Sequence, residues 1–522
     1  MMKEKYYITT PIYYPSGNPH IGHCYTTVAC DTMARYKRLS GFDVMFTTGT
    51  DDHGQKIETN AHNKGMEPQE FVDIIVSEFK KLWDALNISY DRFVRTTDNY
   101  HIETVQKIVS KLYDKGYIYK DFYTGKYCTP CESFWTSNQL VNGCCPDCGR
   151  PVTDAKEEAY FFKVSAFEKQ IKELLENVDF LRPRSRANEM IKNFIEPGLE
   201  DLCISRSSFK WGVPMPFDGK HVVYVWIDAL SNYLSVLGYE NNKYDDFDKY
   251  WPTNIHVMAK EIVRFHAIVF PAMLMALDLP LSQSIYSHGW MTLDSKKMSK
   301  SVGNVVDPFV LIQRYGVDAI RYQMIRDMPF EGDCSYSNEQ MITRINSDLA
   351  NGYGNLVTRT LSMVAKYFPN GMTFDKNNEE IDKKLIDNVL ALVNEVEEKY
   401  NSFYLSDAMQ AIMKIVDLAN KYIDETQPWI LGKDKSSFNR LSNVLMNLLE
   451  IIRISSIAIN PVMPVISEKV LKKIFVDLKN VSFDDTKKFY FLPNEIKLEK
   501  CEPLFPRIDV AEELAELQKI NK

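Results

Sequence analysis

Three short runs of the chain carry side chains whose types and spacing suit chemistry. The first is Pro19-His20-Ile21-Gly22-His23, directly after the breaker-rich stretch Tyr14-Pro-Ser-Gly-Asn-Pro19. If a helix opens here, His20 and His23 share one face at i and i+3, beside backbone N–H groups that attract phosphate. Gly22 between them removes a side chain and lets a flat ring lie close to the backbone. Taken alone, the spacing reads equally well as a metal pair or as two surface histidines. The second run, Lys296-Lys297-Met298-Ser299-Lys300-Ser301, sets three lysines within five residues, with Gly303 close behind. Such a charge run is either a solvated basic loop or a mobile loop that delivers ammonium groups to a polyphosphate. In the second role each well-placed donor contributes roughly 3 kcal/mol to a phosphoryl-transfer transition state. The third run is a pair of C-x-x-C knuckles, Cys128-Thr-Pro-Cys131 and Cys145-Pro-Asp-Cys148, separated by 13 residues. Four thiolates at this spacing suit a closed, structural Zn²⁺ site. A redox pair and four unliganded thiols are the alternatives. Cys144 competes with Cys145, but only Cys145 completes C-x-x-C with Cys148.

These runs need elements to hold them. Residues 6–12 read as a buried strand, His20 to about Ser40 as a helix and Asp43 to Thr48 as a second strand, which is how a parallel α/β sheet begins. Helices are expected over 68–87 and 100–116. His221 to Asp228 reads as another strand, followed by a segment Ala229–Leu237. Asn254–Ala259 is a further strand, leading into an apolar helix over Glu261–Ala276. The first strand's loop then meets its helix in the crevice at the carboxyl ends of the strands, where open α/β sheets bind ligands. No G-x-G-x-x-G follows that strand and no G-x-x-x-x-G-K-[ST] exists, so a dinucleotide dehydrogenase or a P-loop NTPase has no support. Beyond about residue 340 the apolar period is helical. Leu385, Val389, Leu392 and Val396 keep one face. Met409, Ile412, Val416 and Ile423 keep another, with Ser406 as the expected N-cap and Pro428 as the stop. Leu441, Leu445, Leu448 and Ile452 repeat the pattern. The fold class expected is α/β followed by an all-α helix bundle. The expected boundaries are 1–116 and 216–290 for the two halves of the sheet domain, with a knuckle-bearing insertion over 117–215. A linking segment with the lysine loop over 291–345, the bundle over 346–509 and a tail over 510–522 complete the chain.

Composition narrows the class. The chain has 522 residues, 45% hydrophobic and 25% charged, which excludes disorder and disulfide-knotted mini-proteins. A net charge of -8 argues against a basic coat for indiscriminate nucleic-acid binding. No window of 18 or more apolar residues and no signal-peptide h-region is found, so a cytoplasmic protein without membrane partners is expected. Cys24, Cys30, Cys203, Cys334 and Cys501 are scattered and read as small buried hydrophobes.

Pro19-His-Ile-Gly-His23 and Lys297-Met-Ser-Lys-Ser301, in this order on an α/β frame, resemble the two signature motifs of class I aminoacyl-tRNA synthetases. Within that class the chain is similar, over nearly its whole length, to the methionyl enzymes. Further stretches that carry the resemblance are Gly49-Thr-Asp-Asp-His-Gly54, the knuckles, Tyr224-Val-Trp-Ile-Asp-Ala229, His288-Gly-Trp290 and Gln427-Pro-Trp429. The resemblance implies a Rossmann-like catalytic domain and an anticodon-binding bundle. It implies ATP with Mg²⁺, L-methionine and tRNA(Met) as partners, and structural Zn²⁺ on Cys128, Cys131, Cys145 and Cys148. By the same resemblance, His20 and His23 contact the ATP phosphates and Lys297 and Lys300 hold the leaving pyrophosphate. Gly22, Glu261, His288 and Gly289 belong to the nucleotide site, with Glu261 on the ribose and His288 and Gly289 near the adenine. Asp51 binds the methionine ammonium; its alternative is a helix cap. Ile12, Tyr14, Trp226, Ala229, Leu230, Tyr233, Ile262 and His266 wall the side-chain pocket, although the family often has proline where this chain has Leu230. Core packing is the alternative for each apolar one. Asn355, Arg359 and Trp429 read the anticodon, with a core role as the alternative for Trp429. The 117–215 insertion is too short for a separate editing domain. A monomer is expected. The rivals are a related synthetase, for cysteine or another apolar amino acid, and a zinc-dependent RNA-binding protein without catalysis.

Overall fold

The structure, a computed structural model, describes residues 3–130, 133–135, 140–146, 148–293, 296–297, 307–327, 329 and 331–520. Lys5–Tyr13 (β1) is rich in aromatic and β-branched residues and is buried over most of its length, the composition of a central strand. It pairs in parallel with Asp43–Thr50 (β2) on one side and with residues of a later strand, through Ile8 and Thr9, on the other. Arg92–Arg95 (β3), Leu181–Arg182 (β4), Ile255–Ala259 (β5) and Ile285–His288 (β6) complete a six-stranded sheet in the order β3-β2-β1-β5-β6-β4. Every pairing in it is parallel. The order reverses between β1 and β5, which opens a crevice at their carboxyl ends.

Ile21–Leu39 (α1) leaves β1 through the breaker-rich loop and is buried along most of its length. Asn99–Asp114 (α2) packs with the helix Val225–Ser235 (α3). The stretch 117–215 builds a four-stranded antiparallel sheet on the long hairpin of Ile118–Cys128 and Thr153–Phe162. It also lends β4 to the main sheet, so this insertion is not wholly separate from the domain that hosts it.

Two expectations fail here. The run His221–Asp228 is not a strand of the main sheet. Only Val222–Val223 is extended, paired with Ser205–Arg206, and the chain is helical from Val225. Valines and aromatics give this run strand-like propensity. Trp226, Ala229, Leu230 and Tyr233, however, repeat at i, i+3, i+4 and i+7, and that helical period wins. Ser406 is not an N-cap either. It lies inside a helix capped by Tyr404, and its hydroxyl donates to the Arg326 carbonyl at 2.7 Å.

Val317–Asp327 (α4) leads toward the bundle. The bundle itself contains Asn355–Tyr367 (α5), Glu380–Asn401 (α6), Leu405–Thr426 (α7) and Phe438–Ile459 (α8). The stretch Lys435–Ile459 is long and apolar enough to cross a bilayer by length and composition, but its apolar window is wholly buried in the bundle. The tail helix Val510–Ile520 folds back, and Glu513 accepts two hydrogen bonds from Arg314 at 2.7 and 2.9 Å. The bundle and sheet domain share one apolar core. At their seam Tyr36 of α1 stacks on Tyr400 at 4.5 Å between ring centres. Beside it, Asp31 of α1 and Arg321 of α4 form a fully buried ion pair at 2.7 Å. Arg321 also donates to the carbonyls of Leu86, Pro461 and Val462. Burial alone would raise the Asp31 carboxyl, but Arg321 and Arg35 hold it below the ordinary value.

Candidate functional site

The start of α1 is built by its own histidines. Gly22 N–H donates to Nδ1 of His20 at 3.1 Å, and His20 N–H donates to Nδ1 of His23 at 3.1 Å, a reciprocal cap. A backbone N–H can only donate, so both Nδ1 atoms are acceptors and the proton of each neutral ring sits on Nε2. The rings lie 4.0 Å apart between centres. A Cβ on residue 22 would come within 2.9 Å of the His20 ring, so the glycine is what lets this cap form. Two surface histidines would need no such arrangement.

A cavity of about 320 Å³ opens beside it, in the crevice between β1 and β5. Ile12, Tyr14, Asp51, Trp226, Ala229, Leu230, Tyr233, Ile262 and His266 all line it, with Gly22, His23 and Glu261. The sequence reading missed Pro11, Tyr13, Thr26, Pro130, Asn232 and Ala259. Thr26 was findable, because it sits one turn beyond Gly22 and His23 on α1. Pro130 was not, because the knuckle that carries it is far away in sequence.

The walls are held tightly. Trp226 stacks on Phe265 with ring centres 3.5 Å apart. Phe265–Val269 is a π-helical turn, which sets His266 facing Tyr233. His266 donates from Nδ1 to the Ile262 carbonyl at 2.9 Å, so its Nε2 accepts from the Tyr233 hydroxyl at 2.7 Å. Burial pushes the His266 imidazole down to about 4, and it is neutral at pH 7. Asp51 is buried at the end of β2, and its N–H donates to the Tyr13 carbonyl at 2.9 Å. Its neighbour Asp52 is engaged elsewhere, with Arg95 at 2.6 Å and Thr97 at 2.8 Å.

Other expected residues sit apart from the cavity wall. His288 is buried, its Nε2 accepting from Thr26 at 2.7 Å and its Nδ1 donating to the Gly289 carbonyl at 2.7 Å. Gly289 faces Gly332 so closely that a Cβ would lie 2.2 Å from the Gly332 carbonyl oxygen. Next to them Trp290 donates to Glu261 at 2.7 Å, which links the cavity to the strand Met291–Leu293. Lys296–Lys297 pairs antiparallel with that strand. Lys297 is placed by its backbone only, and Lys300 lies outside the described residues.

Among the cysteines, the sulfurs of Cys128, Cys145 and Cys148 lie within 4.8 Å of one another, with Cys128 and Cys148 3.6 Å apart. Four thiolates around Zn²⁺ sit about 3.8 Å apart, so the donor set and spacing fit a metal. Cys144 instead bridges Val141 and Pro151 through its backbone. Cys131 lies outside the described residues. The scattered Cys24, Cys30, Cys203, Cys334 and Cys501 are buried.

In the bundle, Arg359 of α5 lies 5.8 Å from the Trp429 ring centre and 3.6 Å from the Asp424 carboxylate. Trp429 is 38% exposed, which excludes the core alternative. Asn355 is one turn before Arg359 on α5.

A family model described as "tRNA synthetases class I (M)" matches residues 6–156 and 151–361, and one for the anticodon-binding domain of tRNA ligases matches 382–522. The methionine–tRNA ligase of Caldanaerobacter subterraneus subsp. tengcongensis is 55% identical over 519 residues, covering 99% of this chain and 81% of its own. The chain belongs to the methionine–tRNA ligases. The Bacillus subtilis ligase is 46% identical, over 98% of this chain and 79% of its own. Among solved structures, the Mycobacterium tuberculosis methionyl-tRNA synthetase in complex with methionyl-adenylate aligns with a TM-score of 0.92 at 39% identity, over 97% of this chain and 100% of that one. Its apo form aligns at 0.85 and 36% identity, over 97% and 99%. Methionine–tRNA ligase activity, a class I catalytic domain with a parallel sheet and a helical anticodon-binding domain therefore describe this chain.

Proposed function

We propose that the chain joins methionine to tRNA(Met) in two steps through its β1–β5 crevice. The methionine carboxylate attacks the α-phosphate of ATP carried with Mg²⁺. The new C–O–P link gives methionyl-adenylate, and the bond to pyrophosphate breaks. The terminal ribose of the tRNA then attacks the activated carbonyl and AMP leaves. The first step needs no general base, because the carboxylate is already ionised, and it depends on orientation and charge stabilisation.

The observation that carries this reading is the cavity itself: an apolar, aromatic wall with the Asp51 carboxylate at its edge and the histidine-capped helix start beside it. Asp51 binds the ammonium. Trp226, Ala229, Leu230, Tyr233, Ile262, Ile12 and Tyr14 surround a polarizable thioether. Neutral His266 accepts from Tyr233 and so fixes the direction of that hydroxyl. His20 and His23 donate from Nε2 to phosphate oxygens, Lys297 and Lys300 hold pyrophosphate, Glu261 the ribose, and His288 with Gly289 border the adenine. Asn355, Arg359 and Trp429 take the anticodon bases by stacking and edge hydrogen bonds. Cys128, Cys145 and Cys148, with Cys131, would hold Zn²⁺, which clamps the knuckle when bound. Rejection of homocysteine falls to the synthetic pocket, without a separate editing domain. The length of the insertion supports the lack of an editing domain, the composition supports action in the cytoplasm, and a monomer remains part of the reading. ATP–pyrophosphate exchange with each of the twenty amino acids tests the reading. Exchange driven by methionine is expected, and exchange driven by none, or only by another amino acid, overturns it.

A further inference from the structure

One buried network beside the cavity has no place in that chemistry. Asp228 of α3 is fully buried and does not line the cavity. His53 Nδ1 donates to one of its carboxylate oxygens at 2.7 Å, and His101 Nε2 of α2 donates to the other at 2.9 Å. The far nitrogen of His101 meets the Ser235 hydroxyl at 2.8 Å, seven residues along α3. Burial alone would raise the Asp228 carboxyl, but the two imidazoles hold it below its ordinary value.

The placement of these groups is what matters. His53 sits two residues after Asp51 in the short loop that ends β2. That loop is tied to β1 by Asp51 N–H on the Tyr13 carbonyl. It is tied to the return of the insertion by Trp211, whose Nε1 donates to the Asp52 carbonyl at 2.6 Å and whose ring packs edge-on against His53. Asp52 ties it to Arg95 and Thr97, and a further tether is Asp228. On α3, Trp226, Ala229, Leu230 and Tyr233 face the cavity and Asp228 lies about 100–160° around the helix from them, one turn before Asn232, which also borders the cavity. One carboxylate therefore joins the loop bearing the ammonium anchor to the helix bearing the side-chain wall.

We propose that Asp228 is a positioning residue for methionine, setting the spacing between Asp51 and the α3 wall through His53 and His101. This rests on the reading of the cavity as the methionine site. A substrate that must span carboxylate and thioether wall at once is sensitive to that spacing, whereas ATP is not held by it. Fill-in packing would give a different outcome, since it requires neither polarity nor a donor at a fixed ring position.

The test is pyrophosphate exchange with the full chain, varying methionine and ATP separately. For Asp228→Asn the expected result is a methionine KM raised about tenfold or more, as for loss of a hydrogen bond to a charged group, with the ATP KM within about twofold. The preference for methionine over 2-aminopentanoate should fall by roughly threefold, because the wall no longer sits at a fixed distance. An asparagine amide occupies the place of imidazole Nδ1, so His53→Asn should return the methionine KM to within about threefold of the parent while His53→Ala does not. That pair also decides the matter if Asp228→Asn fails to fold. Equal rises in both KM values, a fall in kcat alone, or equal behaviour of His53→Asn and His53→Ala would overturn the proposal. Exchange by the parent that ignores methionine would instead remove the reading of the cavity beneath it.

Discussion

The cavity of the sheet domain and the Arg359–Trp429 face of the bundle, proposed above to take the anticodon, are built to different tolerances. Around the cavity the imidazoles are locked before substrate arrives: His266 between Tyr233 and Ile262, and the His20–His23 cap on backbone donors. On the bundle, Arg359 hovers 5.8 Å from Trp429 with a loose 3.6 Å ion pair to Asp424, and Trp429 stays 38% exposed. A small substrate offers few atoms, so its site must pay the ordering cost during folding. An RNA offers many, and its unstacked bases complete the aromatic surface themselves.

Lys300→Ala should expose that contrast most strongly. It is expected to slow adenylate formation by about 100-fold or more with a smaller change in methionine affinity, measured by pyrophosphate exchange. A wild-type rate would show that the lysine loop has no part in the first step. Trp429→Ala comes next. It should lower kcat/KM for tRNA about tenfold or more, as expected for the loss of one base–aromatic stack, and tRNA-free exchange run in parallel separates the two regions. If both assays fall together, the contrast between them breaks.

Removing metal with a chelator should act on the cavity from outside. Pro130 lies between Cys128 and Cys131 and lines the cavity, so loosening the knuckle is expected to raise the methionine KM by roughly threefold to tenfold. Metal analysis of the same samples ties the change to the thiolates. The smallest effect is one of pH. Burial lowers the His266 imidazole from 6.5 to about 4, so between those values the unfolded chain binds a proton that the folded chain refuses. Stability therefore rises with pH across that window and is lost on acidification, with His256, also pushed down by burial, acting in the same sense. A Tm that falls from pH 6.5 to 4.5, less steeply in His266→Gln, is the expected record.

Local signals carried much of this in the sequence. The histidine run, the two knuckles and the helical apolar period of the bundle each lie within a few residues, so spacing alone exposes them. The His221–Asp228 run misled because a helix buried on all sides shows strand-like composition and only a weak stripe. Pro130, and the meeting of His53 and His101 on Asp228 through hydrogen bonds that span 175 and 127 positions, depend on long-range contacts about which periodicity is silent. Ser406 looked like a cap because serine at a helix start usually is one, and here a carbonyl of the neighbouring domain claimed its hydroxyl.

The Asp31–Arg321 pair carries a further consequence. One end of α1 presents the imidazoles, while Asp31 in its middle is locked to Arg321 of α4 by a salt bridge with no access to water, and Arg321 in turn donates to the Pro461 and Val462 carbonyls of the bundle. Swinging the bundle would take those two carbonyls from the buried guanidinium, at a cost of about 1.5–3 kcal/mol for each such hydrogen bond to a charged group. Those contacts act like the stop on a caliper: on the proposed reading, a tRNA that touches both jaws meets them at a set separation.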